Sequence, residues 1–394
     1  MGRGLQRCGY SIPRISPELC IHRARKQTGM TDFGDESFRV GLERLCQSLN
    51  EEASLSQIGR LAAYYNVVDS LCLRLRIVDY RKARPEIARE TVKPPVIILG
   101  LPRTGTTILF ELLAQDPAHR SPASWEVMKP IPPALAATYH SDKRIKPVEF
   151  LLSLAEKLSP GLKSVHALGA QLPQECVYIL ASNFVSEQFG FMYHLTAYRD
   201  WALEQDMTAA YRWHASVLQH MQIDFKRERW VLKTPPHMAY LQYLLAQYPD
   251  ASLVWTHREP LTAVTSFASL TSTLHGGYSD EVNPTIIGQY EARHFSKMLK
   301  RGMTQRERLD TGQFFDVGFE EICRDPMVAV KSIYDFFGFV LSPEAEHRMC
   351  RYLEVRPRHL FGEHKYDQRD FGFSSESCHD LFSDYRRQYE KYLS

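Results

Sequence analysis

The segment VIILGLPRTGTTILFELL, residues 96 to 113, constrains the chain more than any other. Val96 to Leu99 are apolar without alternation, as in a strand covered on both faces. Gly100 and Gly105 then bracket a loop with Gly-x-x-x-x-Gly spacing. Ile108, Leu109, Leu112 and Leu113 return at the spacing of a helix face. Strand, glycine loop and helix in this order turn backbone N–H groups, and the positive end of the helix, toward one point. That makes an anion site, and the hydroxyls of Thr106 and Thr107 add donors. Thr106 stands where a nucleotide triphosphatase carries lysine. Arg103, inside the loop, offers a planar fork to a terminal anion instead.

The same α/β rhythm resumes downstream. Trp230 to Lys233, Leu253 to Thr256 and Phe314 to Val317 read as further strands. The intervening helical patterns imply right-handed parallel units. Pro260 is placed to open a helix after Arg258-Glu259. Asp325, Pro326 and Gly338 punctuate another as N-cap, first turn and stop. Residues 32 to 90 carry helical periodicity, and residues 121 to 227 read as an α-helical insertion. The expected fold class is therefore α/β: a P-loop-containing parallel sheet flanked by helices. An N-terminal helical region precedes it, and the insertion lies over the active site. We divide the chain into a basic N-terminal arm (1–29), disordered or loosely packed, and one domain (30–394). That domain has a helical part (30–90), core α/β (94–120 and 228–340), the insertion (121–227) and a C-terminal helical or lid segment (341–394).

A net charge of +2 gives no case for nucleic-acid binding, so any basic site must be local. Eight cysteines occur with no Cys-x-x-Cys pair, which reads as buried thiols in a reducing compartment. No apolar run approaches the roughly 18 residues of a membrane span, and the expected location is cytoplasmic. The arginine-rich start lacks the apolar core of a secretory signal and leaves mitochondrial targeting open.

Magnesium-dependent phosphoryl transfer would want an acid at a strand end. The strand ends here offer Lys233 and His257-Arg258 instead. Lys233, at the carboxyl edge where such sheets bind ligands, is therefore a candidate for the leaving oxygen. With Arg103 it would neutralise the ligand without a metal.

These motifs are together similar to the sulfotransferases that use 3'-phosphoadenosine 5'-phosphosulfate (PAPS), with ILGLPRTGTT and VWTHREPLTAVTS the most specific. WE at 125–126, WVLKTPPH, VGFEEICRDP and GEHKYDQRDFG support the likeness, which covers roughly residues 30 to 394. It resembles most the bacterial-type branch acting on small or lipidic alcohols, with tyrosylprotein sulfotransferases as relatives. The resemblance implies that Gly100, Arg103, Thr104, Gly105, Thr106 and Thr107 hold the 5'-phosphosulfate. It implies that Arg258 and Ser266 hold the 3'-phosphate. Phe319 stands where relatives often carry tyrosine, and is not counted among the site residues. The catalytic set expected is Arg103, Lys233 and a base. Glu126, matching a glutamate proposed as base in tyrosylprotein relatives, comes first and His237 second. Histidine has the more convenient unperturbed pKa, about 6.5 against 4.3. Glu175, His364 and Tyr366 are left outside that set; Glu175 reads either as an acceptor-pocket residue or as an acid at a helix start.

The aromatics between 180 and 201 read either as an apolar acceptor pocket or as core. The resemblance favours a small, apolar or lipidic alcohol or phenol over a protein tyrosine, and leaves room for a homodimer. Two rival functions stay open: a nucleotide-dependent kinase on the same loop, and a nonenzymatic phosphoadenosine-binding protein.

Overall fold

Five parallel strands form one sheet in the order β2-β3-β1-β4-β5: β1 Val96–Gly100, β2 His119–Arg120, β3 Arg229–Lys233, β4 Ser252–His257 and β5 Phe314–Gly318. The computed structural model describes residues 14–158, 168–309, 311–355, 367–373 and 380–393. β1 is the central strand and is buried along its whole length. It pairs with β3 through Ile97 opposite Leu232, and with β4 through Ile98 opposite Val254. Because the sheet is parallel, Gly100, Lys233 and His257 end at one edge. The chain goes to β3 on one side of β1 and to β4 on the other, the switch at which α/β sheets open a ligand crevice.

The side chains of β1 divide between two cores. Ile97 and Leu99 join Leu232, Leu253 and Trp255 under the insertion and the helix Pro260–Gly276. Val96 and Ile98 join Val231, Val254 and Val317 under the loop helix Thr106–Leu113 and the helix Pro326–Phe337. The latter is capped as expected: Asp325 accepts from the amides of Met327 (2.9 Å) and Val328 (3.3 Å), and Gly338 turns out at φ 68°. The two-residue β2 is too short to leave a pattern and was not expected.

The N-terminal arm differs from expectation. Pro17–Thr28 is a helix, capped by the Ser16 hydroxyl on the Leu19 amide (3.2 Å), with Cys20 and Ala24 buried. Its basic residues point outward while its small residues dock against the long helix Gln57–Ala83. The aromatics of the insertion also resolve. Phe184, Phe189, Tyr193 and Tyr198 are buried in that same N-terminal core, so they are packing rather than the wall of an acceptor pocket.

Candidate active site

The loop after β1 is held by backbone geometry that side chains resist. Gly100 lies at φ 129° and Gly105 at φ 88°, and Arg103 itself is left-handed at φ 68°. A Cβ on Gly100 would meet the carbonyl of Thr256 at 2.5 Å. Thr104 is fully buried, and its hydroxyl is spent inside the fold: it donates to the Leu101 carbonyl (2.6 Å) and shares a 2.5 Å contact with the Thr256 hydroxyl. It ties the loop to β4, so only its backbone is left for a ligand.

Three expected residues converge on one flank of the loop. The Arg103 Nε donates to Ser266 Oγ (3.1 Å), and the Arg258 Nη1 donates to the Arg103 carbonyl (2.9 Å). Arg258 ends β4 and Ser266 lies two turns into the following helix, whose N-cap, Glu259, accepts from the Thr262 amide (2.9 Å). Phe319 carries the Arg258 guanidinium 3.9 Å over its ring. The tyrosine-to-phenylalanine difference therefore leaves a π surface that orients Arg258, a role the sequence did not reveal.

On the other flank, Lys233 Nζ lies 3.5 Å from the Thr107 hydroxyl and 2.5 Å from Glu175 Oε1. The Thr234 hydroxyl donates to Glu175 Oε2 at 3.0 Å. Glu175 sits at the N-cap of the short helix Cys176–Ala181, from the insertion. An acid does reach this edge, then, but from above rather than from a strand end, and a lysine neutralises it. Its side chain keeps 17% exposure against 3% for Lys233, so it is the acid facing outward.

Neither expected base has this placement. Glu126 is completely buried, and both of its oxygens accept from the Arg120 guanidinium, one at 3.0 Å; Tyr139 also contacts it at 3.3 Å. Phe225, Tyr139 and Trp230 pack around Arg120, completing a buried structural ion pair. His237 is also fully buried, with Nδ1 on the Tyr211 hydroxyl at 2.7 Å. Burial, aided by neighbouring His214, drives its pKa well below the ordinary value, which makes it a poor proton acceptor. His364 and Tyr366 lie outside the described residues.

With this geometry in place, the comparisons are decisive for family. A model of the sulfotransferase family matches residues 94–343. The chain belongs to the sulfotransferase family. It is 27% identical over 338 residues to the omega-hydroxy-beta-dihydromenaquinone-9 sulfotransferase Stf3 of Mycobacterium tuberculosis, covering 77% of this chain and 81% of that one. The crystal structure of sulfotransferase STF1 from Mycobacterium tuberculosis H37Rv superposes with a TM-score of 0.85 at 30% identity, over 94% of this chain and 99% of that one. Sulfotransferase STF9 from Mycobacterium avium gives 0.87 at 27% identity, over 98% and 99%. The α/β fold with its helical insertion is thus that of the sulfotransferases. Among the described residues no helix is long and apolar enough to cross a membrane.

Proposed function

We propose that this sulfotransferase moves the sulfuryl group of PAPS to the hydroxyl of an apolar, lipidic acceptor. The observation that carries the reading is the division of labour around one loop: Arg103, Arg258 and Ser266 gather on one flank, and Lys233, Thr107 and Glu175 on the other. The first group suits the 3'-phosphate and the phosphosulfate, since arginine forks match such oxyanions. The second suits the reacting centre. The acceptor oxygen attacks sulfur, and the bond from sulfur to the bridging oxygen breaks. Adenosine 3',5'-bisphosphate leaves with its new charge beside Lys233, and the acceptor proton passes to Glu175. This assigns the base to Glu175 in place of Glu126 or His237. Positioning and fixed charge supply most of the catalysis, as in phosphoryl transfer.

The lipidic acceptor is supported by the mycobacterial relative, whose name gives a hydroxylated menaquinone derivative as its substrate. A cytoplasmic setting fits buried free thiols such as Cys20, Cys46, Cys72 and Cys176. The test is a thermal-shift comparison of adenosine 3',5'-bisphosphate with ATP plus magnesium. Ligand binding to the folded state raises the melting temperature by mass action, about 2.7 kcal/mol at a hundredfold excess over Kd. Stabilisation by the bisphosphate is expected. Stabilisation by magnesium-ATP alone would favour the kinase reading and defeat this one.

A further inference from the structure

Behind the Lys233–Glu175 pair lies a second cluster of chemically capable side chains. Cys176 follows Glu175 directly, His237 comes one turn after Lys233, and His214 reaches in from the helix Thr208–Gln222. One ligand atom from each lies within 4.8 Å of the others, and all three residues are buried. Both imidazoles hold a tyrosine on Nδ1: His237 meets Tyr211 and His214 meets Tyr248, each at 2.7 Å. Both Nε2 atoms are buried with no hydrogen-bond partner. An unsatisfied buried polar atom costs about 1–3 kcal/mol, and each of the two histidines carries one.

We propose that Cys176, His214 and His237 form a buried binding site for a divalent transition metal, with zinc the ion that best suits the set. Nitrogen and sulfur donors favour zinc over magnesium or calcium. With each Nδ1–H donating to its phenol oxygen, each Nε2 presents its lone pair inward, the outer-shell arrangement that orients histidine ligands. Zinc–nitrogen bonds near 2.0 Å and zinc–sulfur bonds near 2.3 Å put tetrahedral ligand atoms about 3.3 to 3.6 Å apart. The cluster closes on an ion by a contraction of no more than about 1.5 Å. The thiol loses its proton to solvent as sulfur binds, and the fourth position is left for water. The role proposed for the ion is structural, and no step of the transfer runs through it. It would join the segment carrying Glu175 to the segment carrying Lys233, and so position both.

The test uses the full chain, purified without a histidine tag or chelator. Elemental analysis is expected to give about one zinc per chain. Cobalt exchanged into the protein is expected to show a thiolate-to-cobalt charge-transfer band, lost in Cys176→Ser and weakened in His214→Gln. Removal of the ion with a strong chelator should lower the melting temperature, and zinc should restore it. Less than about a tenth of an equivalent of metal, together with no cobalt band, would overturn the proposal and leave two imidazoles facing a trapped water. If either variant fails to fold, the metal content and cobalt spectrum of the unaltered protein still decide.

Discussion

The two glutamates, 126 and 175, separate a structural acid from a chemical one, and paired substitutions to glutamine test this directly. In Glu175→Gln the side chain keeps its size and its contact with Thr234 but cannot take a proton. General base catalysis contributes about 10² to 10⁴ in rate, which is about 2.7 to 5.5 kcal/mol of barrier. That loss should fall on kcat; Lys233 also loses its counter-charge, but the Glu175 side chain keeps 17% exposure, so the fall in melting temperature should be smaller than for Glu126. In Glu126→Gln the order reverses. The change leaves Arg120 buried without its counter-charge, and breaking such a pair costs about 3–5 kcal/mol. With an unfolding entropy near 2.1 cal/mol/K per residue over 394 residues, that is a fall of about 4 to 6 °C. The protein that remains folded should turn over at close to the normal rate. The assay is single-turnover sulfuryl transfer from PAPS to a hydroxylated lipid, read beside a melting curve for each variant. A Glu126→Gln enzyme that melts normally but does not transfer, beside a Glu175→Gln enzyme of normal turnover, would refute the assignment.

Three further outcomes are expected. Arg258→Ala should weaken binding of adenosine 3',5'-bisphosphate by about 10- to 150-fold, the loss of one charged hydrogen bond of about 1.5–3 kcal/mol; titration calorimetry reads this, and an unchanged Kd would remove Arg258 from the donor site. Gly100→Ala should destabilise the fold by at least about 1–3 kcal/mol and abolish nucleotide binding, because φ is 129° and the new Cβ would meet the Thr256 carbonyl at 2.5 Å; a normal urea midpoint would contradict the loop geometry. Burial lowers the pKa of His220 to about 4 and of His275 to about 3, against a partial opposing pull from the Pro130 and Gly190 carbonyls. Both folded values lie below the unfolded one, so the unfolded chain binds more protons and stability is complete only above about pH 6.5. It should fall as pH drops below that, by up to about 1.4 kcal/mol per unit for each histidine. A urea midpoint unchanged between pH 7.5 and 5 would count against both being held neutral.

What could be read in the sequence divides along one physical line. Residues at strand ends were placed well because a parallel sheet leaves little choice: once β1, β3 and β4 are recognised from short apolar runs, Gly100, Lys233 and Arg258 must share an edge. Ser266 follows from Arg258 because a helix of fixed pitch, capped by Glu259, joins them. Glu126 had no such constraint. A family likeness alone favours it, and its partner Arg120 sits on a two-residue edge strand that leaves no pattern. Glu175 reads in the sequence as an acceptor-pocket residue or as an acid at a helix start, and nothing there chooses between them. Its meeting with Lys233, 58 positions away, depends on how the insertion folds back over the sheet. The arm shows the opposite failure. Ser16-Pro17-Glu18 is a helix start that composition obscured, since counting arginines says nothing of the small residues between them that dock. Phe184, Phe189, Tyr193 and Tyr198 are hydrophobic whichever surface they cover, and only the N-terminal helices beneath them decide that they are core. Sequence position thus predicts a side chain's chemical company when the backbone dictates it, and fails when the company arrives from a distant helix. In this site the donor-binding flank is of the first kind and the base of the second, which is why the glutamate pair is the experiment on which the mechanism turns.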